Sequence, residues 1–479
     1  MPGVLISLIV HTALLILLAI WTVRGIGRGG TAIEFEPSAR EAEASDLEAL
    51  PVPMQLGSGD SAPAPGLESI AGASSNASNT SSAAAVASLL SPSNNETKQE
   101  SVKSDLKSAA SSMIDVTSNS TIAVFGSSGV EGRSPGKRRQ LALERGGSAD
   151  SEAAVEAALD WLVAHQRPNG SWSLLHTKEA CNGQCTHEGS KDRYDPAATG
   201  LALLAFLGAG YTHQEGKHAE TVRRGVYYLL QVMEETPNGG SFLYSSPQGM
   251  YNHGIAAFAL CEAYQLSGDE TLAHAAQRAI TFIATSQNAA GGWGYLPKQP
   301  GDLTITGWQT MTLKSGQSAG LSIPGSGIIR LDKFLDSQTD AEKIYYGYGV
   351  PGKRESCTSI ALLLRMYRGW SKTDPRVLAG VRFVSAEGPS QTDMYRNYYA
   401  TMLLFHTGGP VYEQWNKKMR DYLVQSQSRD GHAAGSWYFP DKYGDQGGRL
   451  YNTAMCAMIL EVYYRFAPIT MNTDRPFQL

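Results

Sequence analysis

The chain has no excess of positive charge. Against 40 lysines and arginines stand 45 aspartates and glutamates, a formal net charge of −5, so nothing electrostatic points to nucleic acid. The one basic cluster, Arg133 with Lys137-Arg138-Arg139 and Arg145, reads as a solvated charge run. Cysteine is sparse, five residues in all. Cys261, Cys357 and Cys456 lie inside apolar helical runs and read as small buried hydrophobes, which leaves Cys181 and Cys185 in a polar loop. From about Thr31 to Asp150 aromatics are scarce and Ser, Ala, Asn, Gly and Glu prevail. Such a segment cannot bury enough apolar surface to offset its ordering entropy, and a disordered linker is expected over 31–150.

Before the linker, Val4 to Val23 is an apolar run broken only by Ser7, His11, Thr12 and Thr22. Its length suits a hydrocarbon core of about 30 Å. A cleavable signal peptide is the competing reading, but the positive leading region and a small-x-small site are both missing. A transmembrane anchor over 1–30 is therefore expected. Arg24 and Arg28 on its C-terminal side argue for a cytoplasmic domain; the long Ser/Asn linker argues for an exported one, and the outward orientation is preferred.

One folded domain remains, 151–479. Its sequence repeats an amphipathic helix, a Gly-containing loop and a helix apolar all round. Val155, Ala158, Leu159 and Leu162 give the first surface stripe, and Ala197–Ala209 is its buried partner. Five more pairs follow: Thr221–Met233 with His253–Leu266, Leu272–Gln287 with Ile305–Leu321, Ile328–Leu335 with Cys357–Trp370, Val377–Val384 with Tyr395–Phe405, and Trp415–Gln427 with Leu450–Phe466. No β-rich stretch of comparable length appears. An open solenoid would need polar capping repeats, yet the last inner segment, Tyr451-Asn-Thr-Ala-Met-Cys-Ala-Met-Ile-Leu, is as apolar as the middle ones. The expected fold class is all-α, an (α/α)6 toroid.

Two loops after outer helices, Gln166-Arg-Pro-Asn-Gly170-Ser-Trp172 and Gln287-Asn-Ala-Ala-Gly291-Gly-Trp293, read Gln-x3-Gly-x-Trp, and a third, Gln427-Ser-Arg-Asp-Gly431 then Gly435-Ser-Trp437, carries an insert. Read physically, Gly takes a left-handed position, Gln bonds open backbone groups and Trp covers the joint. The pattern resembles the prenyltransferase/squalene-oxidase (QW) repeat of terpenoid-cyclase-like toroids. The stretches Gly301–Gly316, Asn397-Tyr-Tyr-Ala-Thr and Gly447–Ala454 look like uncharacterised membrane-anchored proteins of planctomycete type. The resemblance implies a squalene-cyclase-like fold with an unassigned activity, and with the anchor and linker above the expected place is the bacterial inner membrane with the ring on the periplasmic face.

The same resemblance sets tests that the chain does not meet. It has no Asp-x-Asp-Asp for protonating an alkene, no Asp-Asp-x-x-Asp for magnesium-bound diphosphate and no Cys-Gly-Glu-Gln thioester. Where prenyltransferases hold zinc with Asp, Cys and His, Glu355-Ser-Cys357 and Asn452 stand, and Asn removes a nitrogen ligand. No metal or other cofactor is expected. Polar residues gather where inner helices begin: Asp195, His253, Asp302, Glu355, Asp393, Arg396 and Asn452. Much of that set suits helix capping, with Asp195 read as an N-cap before Pro196. His253, as general base, with Asp195, Asp302 and Asp393 are the catalytic candidates, and Trp308, Glu355, Arg396, Tyr398 and Asn452 the cavity candidates. The expected role is binding a lipid-like or peptide ligand in the central cavity; the alternative is an enzyme acting on an isoprenoid or other substrate. In Cys181-Asn-Gly-Gln-Cys185-Thr-His187, with His176 upstream, a disulfide is preferred over free thiols or a metal, because Cys-x3-Cys-x-His is not a common zinc spacing.

Overall fold

A computed structural model describes residues 130–467, apart from residue 191. The expected membrane segment Val4–Val23 and the linker up to residue 129 lie outside the described residues. Among the described residues no helix is long and apolar enough to cross a membrane.

A short leading helix, α1 (Pro135–Glu144), precedes six helical pairs. The outer helices are α2 (Ala149–Ala164), α4 (Ala219–Val232), α6 (Glu270–Ser286), α8 (Gly325–Ser337), α10 (Pro375–Ser385) and α12 (Gly409–Ser426). The inner ones are α3 (Asp195–Gly208), α5 (Gly249–Ser267), α7 (Leu303–Ser318), α9 (Glu355–Tyr367), α11 (Met394–Thr407) and α13 (Lys442–Leu460), followed by a last turn, α14 (Val462–Arg465). A small hairpin, β1 (Glu234–Thr236) and β2 (Gly239–Ser241), decorates the second loop. Outer helices bury one stripe, as α2 does with Val155, Ala158, Leu159 and Leu162. Inner helices are buried on every side; α3 is so from Pro196 to Gly208.

Each inner helix packs on the next, α3 on α5 and so on to α13, and α13 returns to α3. That last contact makes the fold an α/α toroid rather than a solenoid. It buries both apolar ends of the repeat, which an open array would leave in water.

The ring is fastened six times by one device. The fourth or fifth residue of α3, α5, α7, α9 and α11, and the fifth after the Gly448 kink in α13, accepts a backbone N–H from the loop before it. Thr199 Oγ1 accepts from Trp172 N (3.0 Å), Thr306 from Trp293 (3.1 Å), Thr358 from Tyr346 (3.1 Å) and Thr453 from Trp437 (3.1 Å). In the second pair His253 Nδ1 accepts from Phe242 N (3.3 Å), and in the fifth Asn397 Oδ1 accepts from Ser390 N (2.9 Å). Each indole N–H of Trp172, Trp293 and Trp437 donates to a carbonyl of its own outer helix at 2.8 Å. Gln166, Gln287 and Gln427 donate to the carbonyls of Gly170, Gly291 and Gly435. These glycines sit beyond the helix end rather than capping it. Gly291 has φ +99°, and a Cβ there would enter the backbone carbonyl of Arg330 on the next outer helix, α8. Gly435 (φ +88°) meets the Ala157 carbonyl of α2 in the same way, so the third copy is what closes the ring.

The folded part begins before Ser151, contrary to the expected linker boundary. The basic cluster is also not a solvated run. Arg133 and Arg138 are buried. Arg133 Nη1 lies 3.1 Å from Glu262 of α5, and Arg138 pairs with Glu152 and Glu156 of α2 at 2.8 Å. Sequence-local composition concealed this, because Glu262 stands 129 residues away.

Candidate functional site

The amino ends of α5, α7 and α11 meet at one mouth of the ring. Tyr251 Oη of α5 bonds Thr304 Oγ1 of α7 at 2.7 Å, and Thr304 Oγ1 donates to Asp302 at 2.6 Å. Tyr395 Oη of α11 reaches the Thr304 carbonyl at 3.5 Å. Tyr295 and Tyr348 share a hydroxyl–hydroxyl bond of 2.5 Å, the Tyr251 and Tyr295 rings lie 6.1 Å apart, and Tyr443 stacks obliquely on Tyr395 at 5.5 Å. Tyr251, Tyr295, Tyr348, Tyr443 and Tyr451 are half-buried, as expected of rings with an apolar body and a wet hydroxyl. The result is a rim of phenols around carboxyls.

Asp302 is the N-cap of α7, accepting from Thr304 N (2.8 Å) and Ile305 N (2.9 Å). Burial pushes its carboxyl up to about 6, against the pull of those hydrogen bonds. Burial likewise raises Asp441, the N-cap of α13, to about 6, with Asp393 nearby adding to the rise. A raised folded pKa means that the native state holds a proton that the unfolded chain has lost. Stability from this source is complete near pH 4 and declines as pH rises to 6. Asparagine caps a helix as well as aspartate, so Asp302→Asn should keep the fold and remove a cost of about 2 kcal/mol at pH 7.5. Urea unfolding across pH 4–7.5 measures this. A loss of stability at pH 7.5, or an unchanged pH slope, would contradict the assignment.

The other expected site residues fall into structural places. His253 is fully buried between Phe242 N and the Ala279 carbonyl (3.2 Å), and burial lowers it to about 3; it is a neutral fastener, not a base poised at neutral pH. Asp195 is the first residue of α3 and its cap is Tyr194, so the expected N-cap role shifts by one residue. Its carboxylate instead pairs with Arg167 at 2.8 Å. Asp393 caps α11 through Arg396 N at 2.8 Å. Glu355 pairs with Arg396, whose Nη1 also holds the Gly388 carbonyl at 3.0 Å. Asn452 bonds the Gly448 carbonyl at 3.2 Å, leaving Oδ1 without a protein partner.

Trp308 and Tyr398 come from non-adjacent inner helices, yet their rings stack at 6.0 Å and both are buried. Both rings are enclosed among the inner helices. The opposite end is closed by ions: Arg465 with Glu262 (3.0 Å) and Glu461 (3.2 Å), and Arg133 on Glu262. A groove of about 500 Å³ lined by Arg138, Glu152, Glu156 and Tyr211 lies on the outside of α1 and α2, its charges paired with each other.

Cys181 and Cys185 are not bridged; both thiols are free and buried. Cys185 Sγ lies 3.4 Å from His165 Nε2 and 3.2 Å from His432 Nδ1, and Cys181 Sγ lies 3.6 Å from the same His432 nitrogen. The histidines beside the cysteines are thus His165 and His432, not the His176 and His187 suggested by sequence proximity. His165 follows α2 and His432 belongs to the last fastening loop, so residue spacing alone could not pair them.

No family model matches the chain, and no curated protein matches it. Among solved structures, the type II terpene cyclase MstE from Scytonema is similar at 14% identity over 66% of this chain and 98% of its own, with a TM-score of 0.43. An inactive variant of the alpha-1,6-mannanase GH76A of Salegentibacter sp. HEL1_6, in complex with alpha-1,6-mannotetrose, is similar at 10% identity over 66% of this chain and 99% of its own, with a TM-score of 0.47. A protein from Actinoplanes is similar at 17% identity over 65% of this chain and 98% of its own, with a TM-score of 0.39. At these levels neither substrate nor catalytic residue transfers, and what stands on this chain's own contacts is an α/α toroid.

Proposed function

We propose that this is a membrane-anchored binding toroid of the QW-repeat type, held by Val4–Val23 with its ring on the outer face, and that its tyrosine-lined mouth takes a peptide. The observation that carries the reading is the rim of half-buried tyrosines around Asp302. Phenols combine rigid contact area with a hydroxyl at low entropic cost, and adjacent carboxyls favour a peptide bearing Lys or Arg, whose cation can also lie over a ring face.

Selection of displayed random peptides on the purified ring is the test. Enrichment of sequences with a basic residue is expected, and their affinity should fall at least about tenfold with Tyr348→Ala plus Tyr443→Ala. Equal enrichment on that variant would sink the proposal. One observation favours an enzyme as the second reading: Asp302 and Asp441 are held near 6, where a carboxyl can pass protons at neutral pH. Acid strong enough to protonate an alkene is not what such a carboxyl supplies. Squalene should therefore be returned unchanged; hopene-type products that vanish in Asp302→Asn would replace the binding reading with catalysis.

A further inference from the structure

The segment between α2 and α3, residues 165–194, is long for a connection in a compact ring and has no helix or strand of its own. Loops of this length are uncommon unless something organises them. It lies across the closure of the ring. Ser190 N bonds the Gln446 carbonyl at 3.1 Å, and Arg449 N, just past the Gly448 kink in the last inner helix, bonds the His187 carbonyl at 2.8 Å. Gly448 (φ +66°) sits against Glu188 and Gly189 so closely that a Cβ would overlap their backbone. At the centre of this overlay the ligating atoms of His165, Cys181, Cys185 and His432 all lie within 4.8 Å of one another.

We propose that these four residues bind one zinc ion, which clasps the first helical pair to the last. Three observations on the donor set point there. With Zn–S of about 2.3 Å and Zn–N of about 2.0–2.1 Å, a tetrahedral site places sulfur and nitrogen about 3.5 Å apart; three of the four sulfur–nitrogen separations are 3.2, 3.4 and 3.6 Å. Cys185 Sγ faces both His165 Nε2 and His432 Nδ1, and Cys181 Sγ faces the same His432 nitrogen, so one cation set among them meets all the donors. His165 is also held for ligation: its Nδ1 lies 2.7 Å from the Trp161 carbonyl, which fixes the proton on Nδ1 and leaves the Nε2 lone pair turned to the sulfurs. The ring stacks on Trp161 at 3.7 Å, keeping that orientation.

The groups around the cysteines suit two thiolates. Cys185 N donates to Cys181 Sγ at 3.0 Å. The Arg449 guanidinium is fixed beside the cysteines by the Thr186 carbonyl (3.3 Å) and the hydroxyls of Ser428 (3.1 Å) and Ser436 (3.0 Å). Four protein ligands leave no open position, so the ion is structural rather than catalytic. Binding releases the two thiol protons, and no bond to carbon or change of oxidation state is involved.

The full-length chain, purified in detergent without chelator and dialysed against zinc, is the material for the test. Elemental analysis should give one zinc per chain. Cobalt substituted for zinc should give the visible d–d bands of a tetrahedral site with thiolate charge transfer. Cys181→Ser and His432→Ala should each lower the zinc content to near zero, whereas His176→Ala should retain it. A strong chelator should lower the melting temperature by about 10 °C or more in the wild type and leave Cys181→Ser unmoved. Less than a tenth of an equivalent of metal in folded wild-type protein would overturn the proposal, as would a Cys181–Cys185 bridge found by mass spectrometry of the unreduced chain. If the variants fail to fold, the stoichiometry and cobalt spectrum of the wild type still decide the matter. The outcome is independent of peptide binding at the mouth, which uses other residues.

Discussion

Replacing Arg465 by alanine is expected to destabilise the ring by about 3–5 kcal/mol, the cost of breaking a buried ion network from one side. Arg465 is 1% exposed. Its Nη1 holds the Leu204 carbonyl at 2.7 Å and Glu461 at 3.2 Å, and its Nη2 holds Glu262 at 3.0 Å. Those partners sit on α3, α5 and the end of α13, so one guanidinium joins elements that the chain order separates. Burial already pushes Glu461 up to about 8 despite the arginines around it. Without Arg465 that carboxyl loses its main attraction and is held more firmly in its protonated form, while Glu262 keeps only Arg133 as a charged partner in the interior. Urea unfolding followed by circular dichroism measures the loss, and a change below 1 kcal/mol would mean that water reaches the cluster. Arg133 completes the network, its Nη2 donating to the Arg465 carbonyl at 3.1 Å. A proteolytic fragment starting near Ser151 should consequently be less stable than one starting near residue 130.

The second large effect is expected at the seam. Trp437→Ala removes a fully buried indole and should cost about 3–5 kcal/mol. The indole covers the joint between α12 and α13, bonding the Leu423 carbonyl at 2.8 Å, while its backbone N–H is held by Thr453. Gly435→Ala tests the same joint without removing apolar area. A methyl group there enters the Ala157 carbonyl of α2, and φ of +88° is itself strained for alanine. Both variants act where the last loop meets the first outer helix, so both should loosen the closure. Amide exchange should rise first in α2 and α12 if closure is the weak point, and uniform exchange throughout the ring would show that it is not.

Which features were legible follows from how far apart their partners stand. The six pairs were readable because amphipathic stripes such as Val155, Ala158, Leu159 and Leu162 are local, as is Gln-x3-Gly-x-Trp. The role of His253 is readable only by comparing the repeats with one another. Thr199, Thr306 and Thr358 stand fourth or fifth in their helices and Thr453 fifth after the Gly448 kink, and His253 occupies the corresponding place in α5, as Asn397 does in α11. A polar residue recurring at one register in several repeats marks a fastener. A lone histidine between Asn252 and Gly254 does not reveal it.

The sequence by itself determined the alternation of half-buried and fully buried helices, the fastening loops and the want of a cyclase acid. These depend on periodicity and on residues a few positions apart, which local backbone geometry alone brings together. Only the tertiary structure decided that Arg133 belongs to the core, that tyrosines from three inner helices and the loops between them ring Asp302, and that His165 and His432 converge on Cys181 and Cys185. Each of those joins groups separated by tens to hundreds of residues. A short-range burial force acts on surfaces already in contact, so their pairing is settled when the ring closes and not before.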